Sequence, residues 1–212
     1  MTLKISEIFY SIQGESTYSG LPTVFVRTYG CNLRCHYCDT KFSYTDETAS
    51  CDMSPQNILD KINSYPHINI LQITGGEPLL QEDIYDLFSL LNKNNFTILL
   101  ETNGSISVKN VPDYVCKVVD IKTPSSGFPD SFVISNLNHI NPIKDNLKFV
   151  LSDINDYNWM KDFIKKHNIY GQHVLISTAF SLINPKIIIN KILEDGLNVR
   201  FQLQLHKYTD IK

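Results

Sequence analysis

Short apolar runs alternate with amphipathic segments along the whole chain of 212 residues. The runs are rich in Val, Ile, Leu and Phe, a composition typical of strands that are buried on both faces of a sheet. On this basis the sequence predicts seven strands, at residues 24–29, 68–74, 96–102, 115–121, 147–151, 174–177 and 199–205.

Segments between these runs carry apolar residues at helical spacing, which predicts helices between the strands. The clearest helix begins at Ser54-Pro55, because serine is a good N-cap and proline suits the first helical turn. Apolar residues continue it to Tyr65. Further helices are predicted at residues 79–92, 159–167 and 185–193, and Gly196 provides a C-cap after the last one.

Alternation of strands and helices predicts a parallel α/β sheet. We expect one domain over residues 1–212, with residues 1–20 as an additional N-terminal element, because no linker, repeat or low-complexity tract divides the chain. Since the carboxyl ends of parallel strands carry the active site in barrels and open sheets, unusual residues at those ends should meet. Four such sequences follow predicted strands: the cysteines at 31–38, Gly75-Gly76-Glu77-Pro78, Asn103-Gly104 and Lys122-Thr123-Pro124.

Composition excludes several classes of protein. The formal net charge is −3, from 19 basic and 22 acidic residues, so there is no basic surplus of the kind that binds nucleic acid. The first residues contain no apolar core of signal-peptide length, and no apolar run is long enough to span a membrane. The five cysteines are an odd number, whereas secreted disulfide frameworks usually pair evenly. These observations predict a cytoplasmic protein with no nucleic-acid or membrane partner.

Three cysteines lie within eight residues, at Cys31, Cys35 and Cys38. A structural zinc site or an electron-transfer iron–sulfur cluster usually has four protein ligands, so this group suggests a metal centre with one open position. A zinc site completed by His36 or Cys51 is an alternative, although zinc ligands usually come as two separated pairs. A non-catalytic iron–sulfur or zinc-binding module therefore stays open from the cysteines alone.

The spacing Cys-x3-Cys-x2-Cys, with Tyr37 just before the last cysteine, resembles the signature of radical S-adenosylmethionine (SAM) enzymes. Gly75-Gly76-Glu77-Pro78 is similar to the second motif of that superfamily. The resemblance implies that the cysteines hold a [4Fe-4S] cluster and that SAM chelates its open iron. It further implies that one electron, from a donor such as flavodoxin, splits SAM and yields a 5′-deoxyadenosyl radical.

The segment Phe9-Tyr10-Ser11-Ile12-Gln13-Gly14-Glu15-Ser16 resembles the sequence ahead of the cysteines in 7-carboxy-7-deazaguanine synthases. Phe25-Val26-Arg27, Cys38-Asp39-Thr40 and Gln204-Leu205-His206-Lys207-Tyr208 extend the similarity to the C-terminus. The family implies an incomplete, modified (β/α)6-type TIM barrel, a homodimer, and a substrate-binding extension at residues 1–20. It also implies that 6-carboxy-5,6,7,8-tetrahydropterin is converted into 7-carboxy-7-deazaguanine with loss of ammonia, in the biosynthesis of queuosine-type nucleosides.

The resemblance also implies roles for individual residues. The substrate would contact Ile12, Gln13, Gly14, Glu15, Arg27 and Thr74. SAM would contact Tyr37, Cys38, Asp39, Gly76, Glu77, Asp120, Ile121, Lys122 and Ser177, and Thr40 would bind Mg²⁺. His206 and Lys207 complete the candidates. The chain departs from the family at Ser16, where glycine is usual, and at Asp120-Ile121-Lys122, where Ser-Pro-Lys is usual.

Other interpretations stay open from the sequence. An activating enzyme that installs a glycyl radical in a partner protein would share the cysteines and the Gly-Gly-Glu-Pro motif, but it has no need for a pterin- and magnesium-binding set. Arg27 could instead be a structural ion-pair partner. Thr40 could be a turn residue, and Glu101, which precedes a loop asparagine, is as readily structural as catalytic.

Overall fold

The computed structural model describes residues 2–46, 50–171 and 173–211. Nine strands lie in this described part of the chain. They are β1 (Leu3–Ile12), β2 (Pro22–Thr28), β3 (Cys51–Met53), β4 (Ile70–Gly75), β5 (Thr97–Thr102), β6 (Val115–Asp120), β7 (Asn146–Leu151), β8 (Val174–Thr178) and β9 (Arg200–Phe201).

All nine strands belong to one sheet, in the order β3-β1-β2-β4-β5-β6-β7-β8-β9. From β2 through β4 to β9 neighbouring strands are parallel, whereas β1 pairs antiparallel with both β2 and β3. The sheet therefore has two edges, at β3 and β9, and does not close into a full barrel. This architecture is the predicted incomplete α/β barrel with an N-terminal addition.

The α-helices of the described residues are α1 (Phe42–Thr45), α2 (Pro55–Asn63), α3 (Ile84–Lys93), α4 (Ile154–His167), α5 (Pro185–Glu194) and α6 (Leu205–Thr209). Helix α2 begins as predicted, because the Ser54 hydroxyl accepts a hydrogen bond from the Asn57 amide. Asp153 and Asn184 cap α4 and α5 in the same way. Gly196 follows α5 with a φ of 60°, a left-handed conformation that suits glycine.

The helices bury their apolar faces against the sheet. Ile58 and Ile62 of α2, Leu87 and Leu91 of α3, and Ile188 of α5 are completely buried. Each such side chain contributes about 1.5–3 kcal/mol of hydrophobic stabilisation. None of the helices in the described residues is long and apolar enough to cross a membrane. The sheet faces are thus covered by packing, and polar residues collect at the carboxyl ends of the strands.

One predicted strand and one predicted helix are shorter in the structure than in the prediction. The strand predicted at 199–205 contains only β9, because Leu205 begins α6 instead. The helix predicted at 79–92 is interrupted, since Pro78–Leu80 forms a separate 3-10 turn before α3.

The N-terminal side of the sheet was predicted least well. Neither β1 nor β3 was predicted as a strand, because half-buried positions run through β1 and β3 is only three residues long.

The helix predicted at 159–167 begins earlier, at Ile154. Its first turn is mostly polar, which hides the helical period there.

Candidate active site

A cavity of about 520 Å³ opens at the carboxyl ends of the parallel strands. It brings together most of the residues that the family resemblance implied. Its wall includes Ile12, Gln13, Gly14, Glu15, Arg27, Cys31, Cys35, Tyr37, Cys38, Asp39, Thr40, Thr74, Gly76, Asp120, Lys122, His206 and Lys207. Three other candidates, Glu77, Ile121 and Ser177, do not line the cavity and are buried.

The cysteine loop between β2 and α1 is held by hydrogen bonds within the loop and to the segments that follow β5 and β6. The Sγ atom of Cys31 accepts from the Leu33 amide at 3.4 Å and from the Asn103 side-chain amide at 3.7 Å. Asn103 directly follows β5. The amide of His36 donates to the Ser126 carbonyl at 3.1 Å, which ties the middle of the loop to the segment after β6.

The thiols of Cys31, Cys35 and Cys38 are free and partly buried. Burial raises the pKa of Cys31 and of Cys35 above the ordinary value for a thiol. A metal centre is the kind of group that would hold such buried sulfurs as thiolates. Cys51 lies on the edge strand β3, is exposed, and is absent from the cavity wall, so it does not supply a fourth ligand there.

The Gly75-Gly76 turn lies against the start of the cysteine loop. The amide of Gly76 donates to the Thr28 carbonyl at 3.1 Å, and the next amide, of Glu77, donates to the Gly30 carbonyl at 2.8 Å. A Cβ atom on Gly76 would collide with the Gly30 carbonyl group. The two sequence motifs therefore form one continuous backbone surface without side chains, next to the first cysteine.

Glu77 supports this turn from behind the cavity wall. Its carboxylate accepts hydrogen bonds from the amides of Leu79 and Asn103, at 3.1 and 2.6 Å, and from the Thr102 hydroxyl at 2.7 Å. Burial raises the pKa of Glu77 to about 7, although the three hydrogen bonds act in the opposite direction. Because Asn103 also donates to Cys31, Glu77 links the turn after β4 to the cysteine loop.

A buried lysine organises another part of the wall. Lys148, in the middle of β7, forms ion pairs with Glu15 at 2.9 Å and with Asp120 at 3.7 Å, and it donates a hydrogen bond to Glu101. Burial alone would lower the pKa of Lys148, but the charges of Asp120, Glu101 and Glu15 raise it well above its ordinary value. The contact also shifts the pKa of Glu101: burial would raise it, but the charge and hydrogen bond of Lys148 lower it to about 2.

Glutamine side chains extend this network to both ends of the chain. Gln13 donates to the Gln72 side chain at 2.9 Å, and Gln72 donates to Glu101 at 3.0 Å. From the C-terminal segment, Gln204 donates to Glu15 at 2.8 Å. The wall is therefore polar, hydrogen-bonded and built from side chains, in contrast to the bare turn beside the cysteines.

Arg27 and Thr40 each combine a structural contact with a position in the cavity wall. The Nε atom of Arg27 donates to Glu7 at 2.8 Å, the ion pair that was the structural interpretation. The carbonyl of Thr40 accepts from the Ser43 hydroxyl at 2.7 Å and so forms part of the turn into α1. The Thr40 hydroxyl lies 3.7 Å from the Sγ atom of Cys38.

The residues that follow β6 differ in what they offer the cavity. Lys122 pairs with Asp120 at 2.7 Å. Burial would lower the pKa of Lys122, but the charge of Asp120, with those of Tyr37 and Cys35, raises it. The other oxygen of Asp120, Oδ1, is buried without a hydrogen-bond partner and has only the longer ion pair to Lys148. Ser177, in β8, is also buried with an unpaired hydroxyl, but it lies behind the wall.

The C-terminal segment closes one side of the cavity. The Leu205 amide donates to the Gly14 carbonyl at 3.1 Å, and a Cβ atom on Gly14 would meet the His206 ring at 2.5 Å. Lys207 pairs with Asp39 of the cysteine loop at 2.6 Å. Burial would raise the pKa of Asp39, but the hydrogen bond and charge of Lys207 hold it below the ordinary value.

Ser16 takes the conformation that makes glycine usual at this position. Its φ is 65°, in the left-handed region, although its side chain is buried. The Ser16 amide donates to the Gln202 side chain at 2.9 Å, and its hydroxyl accepts from the Tyr18 amide at 3.2 Å. These bonds hold the serine in a backbone conformation that it adopts less readily than glycine.

Sequence reasoning missed Lys148, Gln72 and Gln204, and left Glu101 undecided. A signal for Lys148 was present, because this lysine interrupts the otherwise apolar run at residues 147–151. A lone charge in such a strand must find a buried partner. Gln204 belongs to the C-terminal motif that resembles the family, but no role was predicted for it, because its contact with Glu15 appears only in the folded chain.

Known proteins share this fold. QueE from Escherichia coli superposes with a TM-score of 0.76, over 95% of this chain and 94% of that one, at 23% sequence identity. At this identity the likeness establishes the fold. Streptococcus suis SuiB is a more distant structural neighbour, with a TM-score of 0.55 and 15% identity over 82% of this chain.

The sequence profile described as Radical SAM superfamily matches residues 25–135, a range that includes the three cysteines and the Gly75-Gly76 turn. Fold and motifs thus define a radical SAM enzyme. The 7-carboxy-7-deazaguanine synthase of Koribacter versatilis is 38% identical over 97% of this chain and 96% of that protein, and that of Chlorobaculum tepidum is 39% identical over 97% and 93%. The chain belongs to the 7-carboxy-7-deazaguanine synthase family.

Membership of this family decides between the interpretations that the sequence left open. The predicted family, fold class and enzyme class are confirmed, and the zinc site, the non-catalytic module and the glycyl-radical activating enzyme are not supported. Radical SAM enzymes use a [4Fe-4S] cluster and SAM. The roles of individual residues, of Mg²⁺ and of partner proteins stay predictions.

Proposed function

We propose that this protein converts 6-carboxy-5,6,7,8-tetrahydropterin into 7-carboxy-7-deazaguanine with loss of ammonia, a step toward queuosine and other 7-deazapurines. The observation that carries the proposal is a single cavity that joins three free cysteines to a wall of carboxylate, amide and guanidinium groups. Similarity over nearly the full length to two proteins named for this product supports it.

The cofactor side of the cavity fits the two groups that this enzyme class uses. Cys31, Cys35 and Cys38 can supply three thiolates and leave a fourth iron position for SAM. The bare backbone at Gly76 can face the methionyl part of SAM, and the Asp120 carboxylate, which belongs to the cavity wall, can accept a hydrogen bond from a ribose hydroxyl. When bound, the cluster and SAM supply a 5′-deoxyadenosyl radical.

Other predicted SAM residues divide into two groups by position. Tyr37, Asp39 and Lys122 are in the wall and can touch the cofactor directly. Glu77, Ile121 and Ser177 are buried behind it, so we expect them to act through the backbone that they support. Lys122 keeps the Asp120 carboxylate in place through its ion pair.

The substrate side fits a bicyclic amide that carries a carboxylate. Arg27 provides a planar guanidinium whose remaining donors suit a carboxylate, while its Nε is held by Glu7. Gln13 and Glu15, with the backbone of Ile12 and Gly14, can read the donor and acceptor edge of the pterin ring. These groups orient the substrate and exclude water from it, which is the protein's share of radical chemistry.

Thr40 is the proposed magnesium ligand. Its hydroxyl is a hard oxygen in the cavity wall, and Mg²⁺ usually keeps several ligands from substrate and water. We expect Thr40→Ala to raise the Mg²⁺ concentration needed for half-maximal turnover or to abolish turnover, and Thr40→Ser to retain it. An unchanged Mg²⁺ dependence in Thr40→Ala would remove this residue from the metal site.

The decisive experiment is a product assay under anaerobic conditions. Reconstituted protein should contain about four irons per chain, and with the pterin, SAM, reductant and Mg²⁺ it should release 7-carboxy-7-deazaguanine, identified by mass spectrometry. Cys38→Ala should lose both iron and product, whereas Cys51→Ala, at an exposed position outside the cavity, should keep both. Cleavage of SAM without this product in the wild type would contradict the proposal.

We also infer a homodimer, a flavodoxin-type reductant and a cytoplasmic location. At the β9 edge of the open barrel, α5 exposes Ile187 and Leu193, the latter by 73%, and a second copy could cover this apolar face. The free cysteines agree with a reducing compartment. Light scattering after gel filtration should give twice the monomer mass, and Leu193→Asp should shift it to the monomer.

A further inference from the structure

Lys148 occupies a place where a lysine has no ordinary packing role. All six positions of β7 are buried, and the Lys148 side chain is only 4% exposed. Burial of an ammonium group is unfavourable unless it is paired and hydrogen-bonded. Here the pairing is with carboxylates that come from three other segments of the chain.

Two of these carboxylates face the cavity. Glu15 follows β1, Glu101 lies in β5, and both belong to the cavity wall. The Glu101 side chain keeps 27% of its surface exposed despite its position inside the barrel, so its open surface faces the cavity. Gln72 and Thr74 donate to one oxygen of Glu101, at 3.0 and 3.3 Å, and Lys148 donates to the other.

Neighbouring carboxylates repel each other, and without a cation one of them would take up a proton. The Lys148 ammonium lies between Glu15 and Glu101 and removes this repulsion. A pair of ionised, fixed carboxylates offers acceptors only, which suits a ligand edge that carries several N–H donors. The amino and ring N–H groups of a 2-aminopyrimidin-4-one form such an edge.

We propose that Lys148 is a positioning residue that holds Glu15 and Glu101 as a paired acceptor site for the N–H edge of the substrate. The identity of that substrate rests on the proposed function. The acceptor site itself rests on the contacts of Lys148. Its specificity follows from charge, because a ligand edge that presents acceptors would face unpaired carboxylates.

Several charged groups surround Glu101 and set its ionisation. The charges of Lys148, Lys122 and Arg27 stabilise its carboxylate, whereas Glu15 competes for the same ammonium. Around the same cavity, Asp120 pairs with both lysines, and burial lowers the pKa of His206. Since Lys148 is the closest cation, its removal should raise the pKa of Glu101 above its present value of about 2.

The test compares Lys148→Met with Lys117→Met. Lys117 is an equally buried lysine on the adjacent strand β6, pairs with Asp145 at 2.9 Å, and does not line the cavity. We expect Lys148→Met to raise the KM for the pterin at least about tenfold, a typical consequence of disturbing charge-assisted hydrogen bonds. That KM should rise further as the pH falls toward 5, because protonated Glu101 no longer accepts. Lys117→Met should keep the wild-type KM and its pH profile.

Two measurements separate positioning from a general structural effect. The ¹³C titration of glutamate side chains, with the Glu101 signal assigned by its loss in Glu101→Gln, should show the higher pKa of Glu101 in Lys148→Met. In a double-mutant cycle, Lys148→Met combined with Glu101→Gln should raise KM by less than the product of the two single changes, since Lys148 acts partly through Glu101. Independent, multiplicative effects would contradict the proposal, as would an unchanged titration of Glu101.

The outcomes also distinguish this inference from the proposed function. If the wild type makes no deazaguanine, the proposed function fails, and the Glu101 titration still decides whether Lys148 keeps that carboxylate ionised. If the wild type is active and Lys148→Met behaves like Lys117→Met, only the inference fails. Should Lys148→Met not fold, Glu15→Gln and Glu101→Gln carry the test: each must raise KM about tenfold with kcat changed less than about threefold.

Discussion

Replacement of Gly76 by alanine should damage both the fold and the cluster site. The φ of Gly76 is not in the left-handed region, so alanine is not excluded by backbone conformation. The obstacle is space, because the added Cβ would collide with the Gly30 carbonyl and lie 2.9 Å from the Cβ atom of Cys31. Either the turn after β4 or the start of the cysteine loop must therefore move.

The size of the effect follows from what has to give way. Overpacking of a rigid site typically costs about 1–3 kcal/mol. Relief of this clash also separates the Glu77 amide from the Gly30 carbonyl, now 2.8 Å apart, which adds about 1 kcal/mol. A total of about 3 kcal/mol corresponds to a loss of about 6–12 °C in Tm for a chain of this length. Displacement of Cys31 should reduce the iron bound after reconstitution.

The assay pairs Gly76→Ala with Gly14→Ala as a control. A Cβ on Gly14 meets the ring of His206, a side chain that can rotate away, rather than backbone. Thermal unfolding of the metal-free proteins, followed by circular dichroism, should show the large loss for Gly76→Ala and a loss of less than about 3 °C for Gly14→Ala. A Gly76→Ala protein that melts within about 2 °C of the wild type and binds the full complement of iron would refute the prediction that residue 76 has no room for a Cβ atom beside Gly30.

Three further predictions concern stability. Asp145→Ala should lower the free energy of unfolding, measured in urea, by about 3–5 kcal/mol, because it leaves the buried Lys117 ammonium unpaired. Lys117→Met should cost less than half as much, since Asp145 keeps its other hydrogen-bond donors. Equal losses in the two variants would contradict this prediction. Ser16→Val should lower the free energy of unfolding by at least about 2 kcal/mol, because the φ of 65° at this position is unfavourable for a β-branched residue. Ser16→Gly should lower it by less than about 1 kcal/mol. Similar urea midpoints for the two variants would contradict backbone strain at residue 16. Burial raises the pKa of Glu77 in the folded protein to about 7, so the folded state binds this proton more tightly than the unfolded chain does. The free energy of unfolding should therefore fall by about 3–4 kcal/mol as the pH rises from about 4.3 to above 7. Glu77→Gln should remove this pH dependence, and an unchanged slope would exclude Glu77 as its source.

The parallel sheet could be predicted from sequence because its strands carry a strong local signal. Runs rich in apolar residues were predicted at 115–121 and 174–177, and the structure has the strands β6 and β8 there, buried at every position except Cys116. The cysteines and the Gly75-Gly76 turn were predictable for a related reason, since each is a short motif whose chemistry depends on neighbouring residues. Their meeting at one edge followed from the rule that parallel strands end on the same side.

The polar wall could not be predicted in the same way, because its contacts join residues that are distant in the chain. Lys148 and Glu15 are separated by 133 positions, and Gln204 and Glu15 by 189. In neither pair does the sequence around one residue indicate that the other residue is its partner. Likewise β1 has partly buried residues on both faces, so its hydrophobic period is weak and its place beside β2 is decided by tertiary packing.

Part of the wall proposed for the substrate comes from outside the residues that match the Radical SAM superfamily. The match to the Radical SAM superfamily covers residues 25–135, which contain the cysteine loop, Gly75-Gly76 and Glu77. Glu15, Lys148 and Gln204 all lie outside that range, yet they are joined directly by hydrogen bonds and ion pairs. The backbone contact between Gly76 and Gly30, next to Cys31, does not involve these three side chains. Substitutions at Glu15 and Gln204 should therefore change substrate affinity more than iron content, whereas Gly76→Ala should change iron content.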